Sequence, residues 1–322
     1  MPERNTMKKI QELQQVKGDA YDYYIAGNED TDLFEKIFLV DDIVEEICKP
    51  DKYFLIGEKG SGKTAYSVYM SKSDKINSFC SISLVENTLY QRFLNMKRQK
   101  ALELSSFKDV WINLIYLILA EKIRKEYGET FFSSIKYKQL SKAIDVFYSD
   151  AFKPEFVNAF EFVDNASASI NSMMKQGLFS TGTKASAETS QKYVEQSFQI
   201  SLLKIRDGFE KAFMSVNLKK PTILFVDGID ARPRDIDNEQ YFECLVGLVN
   251  AVLEMNQSFL KEKQIKIMLL IRPDIMYKMP VHNMNQKLRN NSVLLNWVTS
   301  YRKYIDSKLF KIADDYFMKQ PD

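Results

Sequence analysis

The sequence predicts an α/β fold: a central parallel sheet flanked by helices, with a helical insert. Three observations carry this. Predominantly apolar runs of strand length occur at Tyr53–Ile56, Thr222–Val226 and Ile265–Ile271, as strands buried on both faces require. Segments with helical spacing separate them, the alternation from which parallel sheets are built. A glycine-rich turn leaves the first run and enters a segment that can continue as a helix, Ala65–Met70.

Residues 1 to 30 are polar and tyrosine-rich and read as a helix followed by a loop. Asp32–Cys48 reads as a short helix leading into the first strand. Ser78–Val85 alternates and predicts a second strand. Phe107–Tyr127 predicts a strong helix, with Val110, Leu114, Leu117 and Ile118 at helical spacing. Residues 130–195 are less orderly, and Ala166–Thr189, rich in Ser, Ala, Thr, Gly and Lys, reads as a disordered insert or a hairpin. Helical period returns with Phe198, Leu202, Ile205, Phe209 and Phe213, whose aromatics read as core. A helix is expected over Asn238–Leu260, a last strand over Ser292–Trp297 and a helix over Tyr301–Phe317. The resulting division is a lead-in at 1–50, the first part of the core at 51–128, an insert at 129–196 and the second part of the core at 197–322.

The turn is Gly57-Glu58-Lys59-Gly60-Ser61-Gly62-Lys63-Thr64, which fits the G-x-x-x-x-G-K-[ST] phosphate-binding loop in its strand–loop–helix context. Its glycines let the backbone approach phosphate, and its N–H groups with the helix N-terminus form an anion-binding concavity. Lys63 supplies a point charge to the β- and γ-phosphates, and the Thr64 hydroxyl a ligand for Mg2+. Asp227, at the end of the second apolar run, is the matching metal-holding acid (Walker B). Asp230, three residues on, is the candidate for positioning or activating the attacking water; its alternative is a capping or ion-pairing carboxylate beside Arg232 or Arg234. Arg272 ends the third run, where it can contact the γ-phosphate; its alternative is an ion pair with Asp274. Arg232, Arg234 and Arg289 are candidates for a finger acting on a neighbouring subunit.

The 322 residues carry a net charge of +2 and are 45% hydrophobic, enough for a sizeable core and without a demand for nucleic acid. Three well-separated cysteines, Cys48, Cys80 and Cys244, predict buried thiols in a reducing cytosol. The single histidine, His282, argues against Ser-His or Cys-His catalysis and reads as a loop residue. The longest apolar stretch, Trp111–Ala120, is about half a membrane span and is interrupted by Asn113, so it reads as a buried core helix of a soluble, cytoplasmic protein.

The set Phe54–Thr64, Phe225-Val-Asp-Gly-Ile-Asp230, Ile271-Arg-Pro-Asp-Ile275 and Leu288–Val293 resembles the FunZ-type bacterial P-loop ATPases, relatives of the STAND and KAP NTPases, over about residues 50–312. The resemblance implies an additional-strand ATPase core with sheet order 5-1-4-3-2. It implies Mg-ATP as a switch for homo-oligomeric assembly, a protein effector partner, and a setting in antiphage defence or stress signalling. Carried over, Gly57–Thr64 bind phosphates, Asp227 holds Mg2+, Asp230 lies in the acidic turn that aids hydrolysis and Arg272 is the strand-four sensor. Two departures stand out. Ala231 replaces the acid that usually follows the second Asp, which implies slow hydrolysis. Only about 50 residues follow Arg272, little for the helical lid and C-terminal domain of STAND proteins, so a truncated product, a minimal core and half of a two-gene system all stay open.

Other readings are a nucleotide-binding scaffold with little turnover, a DNA-associated motor or processing ATPase, and a small-molecule or nucleoside kinase. Lys97–Lys100 and Lys122–Lys125 permit the motor but read as solvated helix faces. No acceptor pocket supports the kinase, and no base-reading motif separates ATP from GTP.

Overall fold

The computed structural model describes residues 18–25, 34–85, 107–132, 137–151, 202–229, 238–279, 288–296, 305 and 307–318. Five strands form one sheet: β1 (Phe54–Gly57), β2 (Phe79–Leu84), β3 (Thr222–Asp227), β4 (Ile265–Ile271) and β5 (Ser292–Leu295). All four pairings are parallel. The order across the sheet is β2-β3-β4-β1-β5, which read from the β5 edge is 5-1-4-3-2. β4 therefore lies between the strand that enters the glycine-rich loop and the strand that ends in Asp227.

The helices are α1 (Ala20–Ile25), α2 (Asp42–Cys48), α3 (Lys63–Lys72), α4 (Phe107–Phe132), α5 (Lys138–Ala151), α6 (202–215), α7 (Asn238–Asn256), α8 (Pro273–Lys278) and α9 (Lys308–Met318). Alternation along the strands builds a three-layer molecule. Phe54, Ile56, Leu224, Val226, Ile267 and Leu269 pack with α4, α6 and α7. Leu55, Ile82, Phe225, Met268 and Leu270 pack with α1, α2 and α3. Trp111 and the residues around it on α4 are fully buried in the first of these layers, as the core-helix reading requires. The Trp111 indole N–H donates to the Cys244 carbonyl at 3.0 Å and ties α4 to α7. No described helix is long and apolar enough to cross a membrane.

Several boundaries differ from expectation. Asp32–Cys48 is not one helix: a single turn at 34–37 ends, and α2 restarts behind Asp41, whose side chain accepts from Ile43 N. Such a cap competes with helix continuation and resets it. The long helix runs past Tyr127 to Phe132, but Gly128 breaks it with φ of 74°. The 130–195 stretch is more orderly at its start than its composition indicated, because 138–151 form α5 and bury Leu140, Ile144 and Phe147. α7 stops at Asn256, four residues short. There the Asn256 side chain ties the end of its helix to β4: its Nδ2 donates to Val252 O at 2.9 Å and to Ile267 O at 2.8 Å, and Ile267 N donates to its Oδ1 at 2.8 Å. β1 begins alongside Leu269, so this amide serves a stretch of β4 that β1 does not reach. α9 begins only at Lys308. Ala166–Thr189, Phe198, His282 and Trp297 lie outside the described residues.

Cys80 and Cys244 are buried free thiols, but Cys48 is exposed. It closes α2 one step around the helix from buried Ile47, on the face that meets solvent. Burial pushes the Cys80 thiol up to about 12.

Candidate phosphate and metal site

The loop Gly57–Gly62 joins the carboxyl end of β1 to the amino end of α3. Gly62 is the N-cap of α3 at φ 90°, a left-handed conformation that side chains disfavour. At Gly57 a Cβ would stand 2.2 Å from Ser61 Oγ and 3.0 Å from Leu295 Cβ, so the loop closes tightly on its own strand. Glu58 and Lys59 are exposed and Ser61 is buried. The first-turn N–H groups of α3 and the positive end of its dipole lie at the loop's end, where an anion is favoured.

Lys63 is buried, 7% exposed. Its ammonium donates to the carbonyls of Gly57 at 2.8 Å and Glu58 at 3.1 Å, which hold the charge over the loop. Thr64 Oγ1 donates to Asp227 Oδ2 at 2.7 Å across 163 residues of chain. The other oxygen of Asp227 accepts from Gly228 N at 2.7 Å. The carboxylate thus has one oxygen fixed by backbone and one directed at the threonine. Tyr241 on α7 fixes the turn from behind, its hydroxyl donating to the Ile229 carbonyl at 2.6 Å.

Arg272 follows β4 directly, and the pairing of Ile56 with Ile271 sets it beside Gly57. Its guanidinium is engaged by Asp274 through two bonds, Nε to Oδ1 at 2.9 Å and Nη2 to Oδ2 at 2.8 Å. The ion-pair alternative is therefore realised, and the pair borders a cavity of about 430 Å3 with Tyr241 and Lys278. Asp230, Ala231, Arg232 and Arg234 lie outside the described residues; Arg289 is exposed in the helical turn at 288–290 that precedes β5.

Gly57–Thr64, Asp227 and Arg272 are thus brought to one edge of the sheet, the carboxyl-end edge where ligands of open α/β sheets bind. The donors suit a hard divalent cation. Mg2+ keeps several waters and substrate oxygens and needs only one or two protein oxygens, which Asp227 and Thr64 supply side by side. Sequence reasoning missed Tyr241, because a tyrosine in an apolar helix carries no mark of function. The pairing of Arg272 with Asp274 was one of its two alternatives for that arginine. No protein family, curated protein or solved structure matches the chain.

Proposed function

We propose that the chain is a Mg-ATP-dependent P-loop ATPase of the additional-strand class that acts as an oligomerising switch. The observation that carries this reading is the 2.7 Å bond between Thr64 and Asp227, which unites loop and acid at the carboxyl edge of a parallel sheet with β4 between them. The loop N–H groups, the α3 N-terminus and Lys63 bind the phosphates; Thr64 and Asp227 hold Mg2+, which when bound neutralises charge on the transferring group. Asp230 orients the attacking water, and Arg272, released from Asp274, contacts the γ-phosphate and reports its presence. Gly57–Thr64 are the phosphate-binding residues and Lys63, Asp227, Asp230 and Arg272 the catalytic set. The likeness to FunZ-type ATPases supports a cytoplasmic protein that forms homo-oligomers, engages a protein effector and works in antiphage defence or stress signalling.

A scaffold with little turnover is the second reading. The bidentate hold of Asp274 on Arg272 favours it, because an arginine engaged twice within the chain is costly to redirect. Turnover of ATP and GTP with Mg2+, for wild type and Lys63→Ala, with mass followed by light scattering, decides between them. Turnover lost in the variant together with ATP-dependent growth in mass supports the switch. Tight binding with neither turnover nor assembly supports the scaffold.

A further inference from the structure

At the amino-end edge of the sheet, opposite the phosphate loop, a groove of about 820 Å3 runs along the outer side of β2. Lys72, Lys122, Lys125, Lys219 and Lys220 line it, against the two carboxylates of Asp74 and Glu126. The whole chain carries only +2, so this one groove gathers more positive charge than the molecule as a whole. The lysines come from three separate places: the end of α3, the last turns of α4 and the loop before β3. Lys72 ends the helix that Lys63 begins, about 13 Å along its axis. Lys219 and Lys220 precede β3, whose far end carries Asp227.

Aromatic rings are interleaved with these charges. Tyr21, Tyr24 and Tyr127 line the same groove. The rings of Tyr21 and Tyr24 lie 5.4 Å apart, and the Lys72 ammonium sits 5.8 Å from the centre of the Tyr24 ring. Tyr127 stands edge-on to Phe79 of β2 at 6.1 Å. β2 is an edge strand, and its outer side is closed locally where Ile82 N donates to the Tyr24 hydroxyl at 3.3 Å. That bond anchors Tyr24 against the sheet, so its ring is a fixed platform.

We propose that this groove binds single-stranded nucleic acid. A row of ammonium groups tracks a phosphate backbone through counterion release. Tyrosine faces stack unpaired bases without regard to sequence. An acidic peptide would satisfy the lysines but leave the rings unused, and a duplex would keep its bases away from them. The inference does not depend on nucleotide hydrolysis, because the groove and the phosphate loop lie at opposite ends of α3 and β3.

The test is fluorescence anisotropy of a labelled oligothymidylate of about 16 nucleotides with the full chain over a range of salt. With three to four phosphates engaged, the logarithm of affinity falls against that of salt with a slope of about −2 to −3. Lys219→Glu with Lys220→Glu, on an exposed loop, weakens binding more than about tenfold and flattens the slope by about one. Lys138→Glu with Lys142→Glu, the same charge change on α5, leaves affinity within about threefold. Absence of binding at low salt overturns the proposal, as does equal weakening by both pairs. Competition by polyglutamate as strong as that by unlabelled DNA of equal charge also overturns it, and assigns the groove to acidic protein instead.

Discussion

Lys266 is the most exacting test of the packing described here. It is the second residue of the otherwise apolar strand β4, 8% exposed, paired across to Ile223 of β3. Its ammonium donates to the carbonyls of Ile47 and Lys49 (2.8 Å for Lys49), at the carboxyl end of α2, where a cation meets the negative end of the helix dipole. Burial nevertheless dominates and lowers its pKa from 10.5 to about 8, against the opposing influence of Cys48, Cys80 and Asp51. Below pH 8 both folded and unfolded chains carry the proton, and the folded state bears the whole cost of the buried charge. Between about 8 and 10.5 only the unfolded chain keeps the proton, so stability rises with pH. At about 1.4 kcal/mol per decade, that window is worth roughly 3 kcal/mol. The perturbation is Lys266→Met, which keeps an apolar stem and removes the titration. Urea unfolding of both proteins from pH 7.5 upward gives the difference in stability, wild type minus variant. It climbs by about 3 kcal/mol across the window and levels off above it. Cys80 works in the opposite direction: its thiol stays protonated in the fold up to about 12, so its contribution falls as pH passes 9. The subtraction removes the part of that slope set by burial, while the charge interaction between Lys266 and Cys80 stays in the difference. A difference that is flat from pH 8 to 10.5 refutes the burial of a charged Lys266.

Three further outcomes follow from single contacts. Asn256→Ala orphans both the N–H and the C=O of Ile267 in the core and lowers stability by about 2–5 kcal/mol, measured by denaturant midpoint; a loss under about 1 kcal/mol shows that the amide is not bridging the strand. Asp230→Ala leaves ATP binding intact and cuts turnover; normal hydrolysis in this variant removes Asp230 from the catalytic set. Arg272→Ala narrows the preference for ATP over ADP in equilibrium binding, and an unchanged preference leaves Arg272 with its Asp274 ion pair as its whole role.

The central strands were legible because pattern matches burial: β3 and β4 are buried at every position, and the sequence there is apolar almost throughout, whereas β2 buries Ser81 and exposes Leu84. Lys266 is the exception, tolerated because its ammonium reaches past the sheet to the end of α2. The glycine-rich loop was legible because phosphate chemistry constrains residue types at fixed spacing. Long-range partners were not. Nothing local to Asn256 says that its amide reaches β4, and nothing local to Lys72 says that it joins Lys219 in one groove. Cys48 was misplaced because apolar neighbours such as Ile47 are buried while the residue one step around the helix faces solvent. The order of the strands came with the likeness to a known class, not from the runs themselves, since periodicity carries no information about adjacency.

The central claim is that Gly57–Thr64 and Asp227 form one nucleotide site. Its most direct test is equilibrium binding of ATP by calorimetry, with and without Mg2+, for wild type, Lys63→Ala and Asp227→Asn. Mg2+ strengthens binding by wild type, Lys63→Ala loses nearly all of it, and Asp227→Asn keeps a residual binding that no longer responds to Mg2+. Binding that survives Lys63→Ala undiminished, or that ignores Mg2+ in wild type, contradicts that claim.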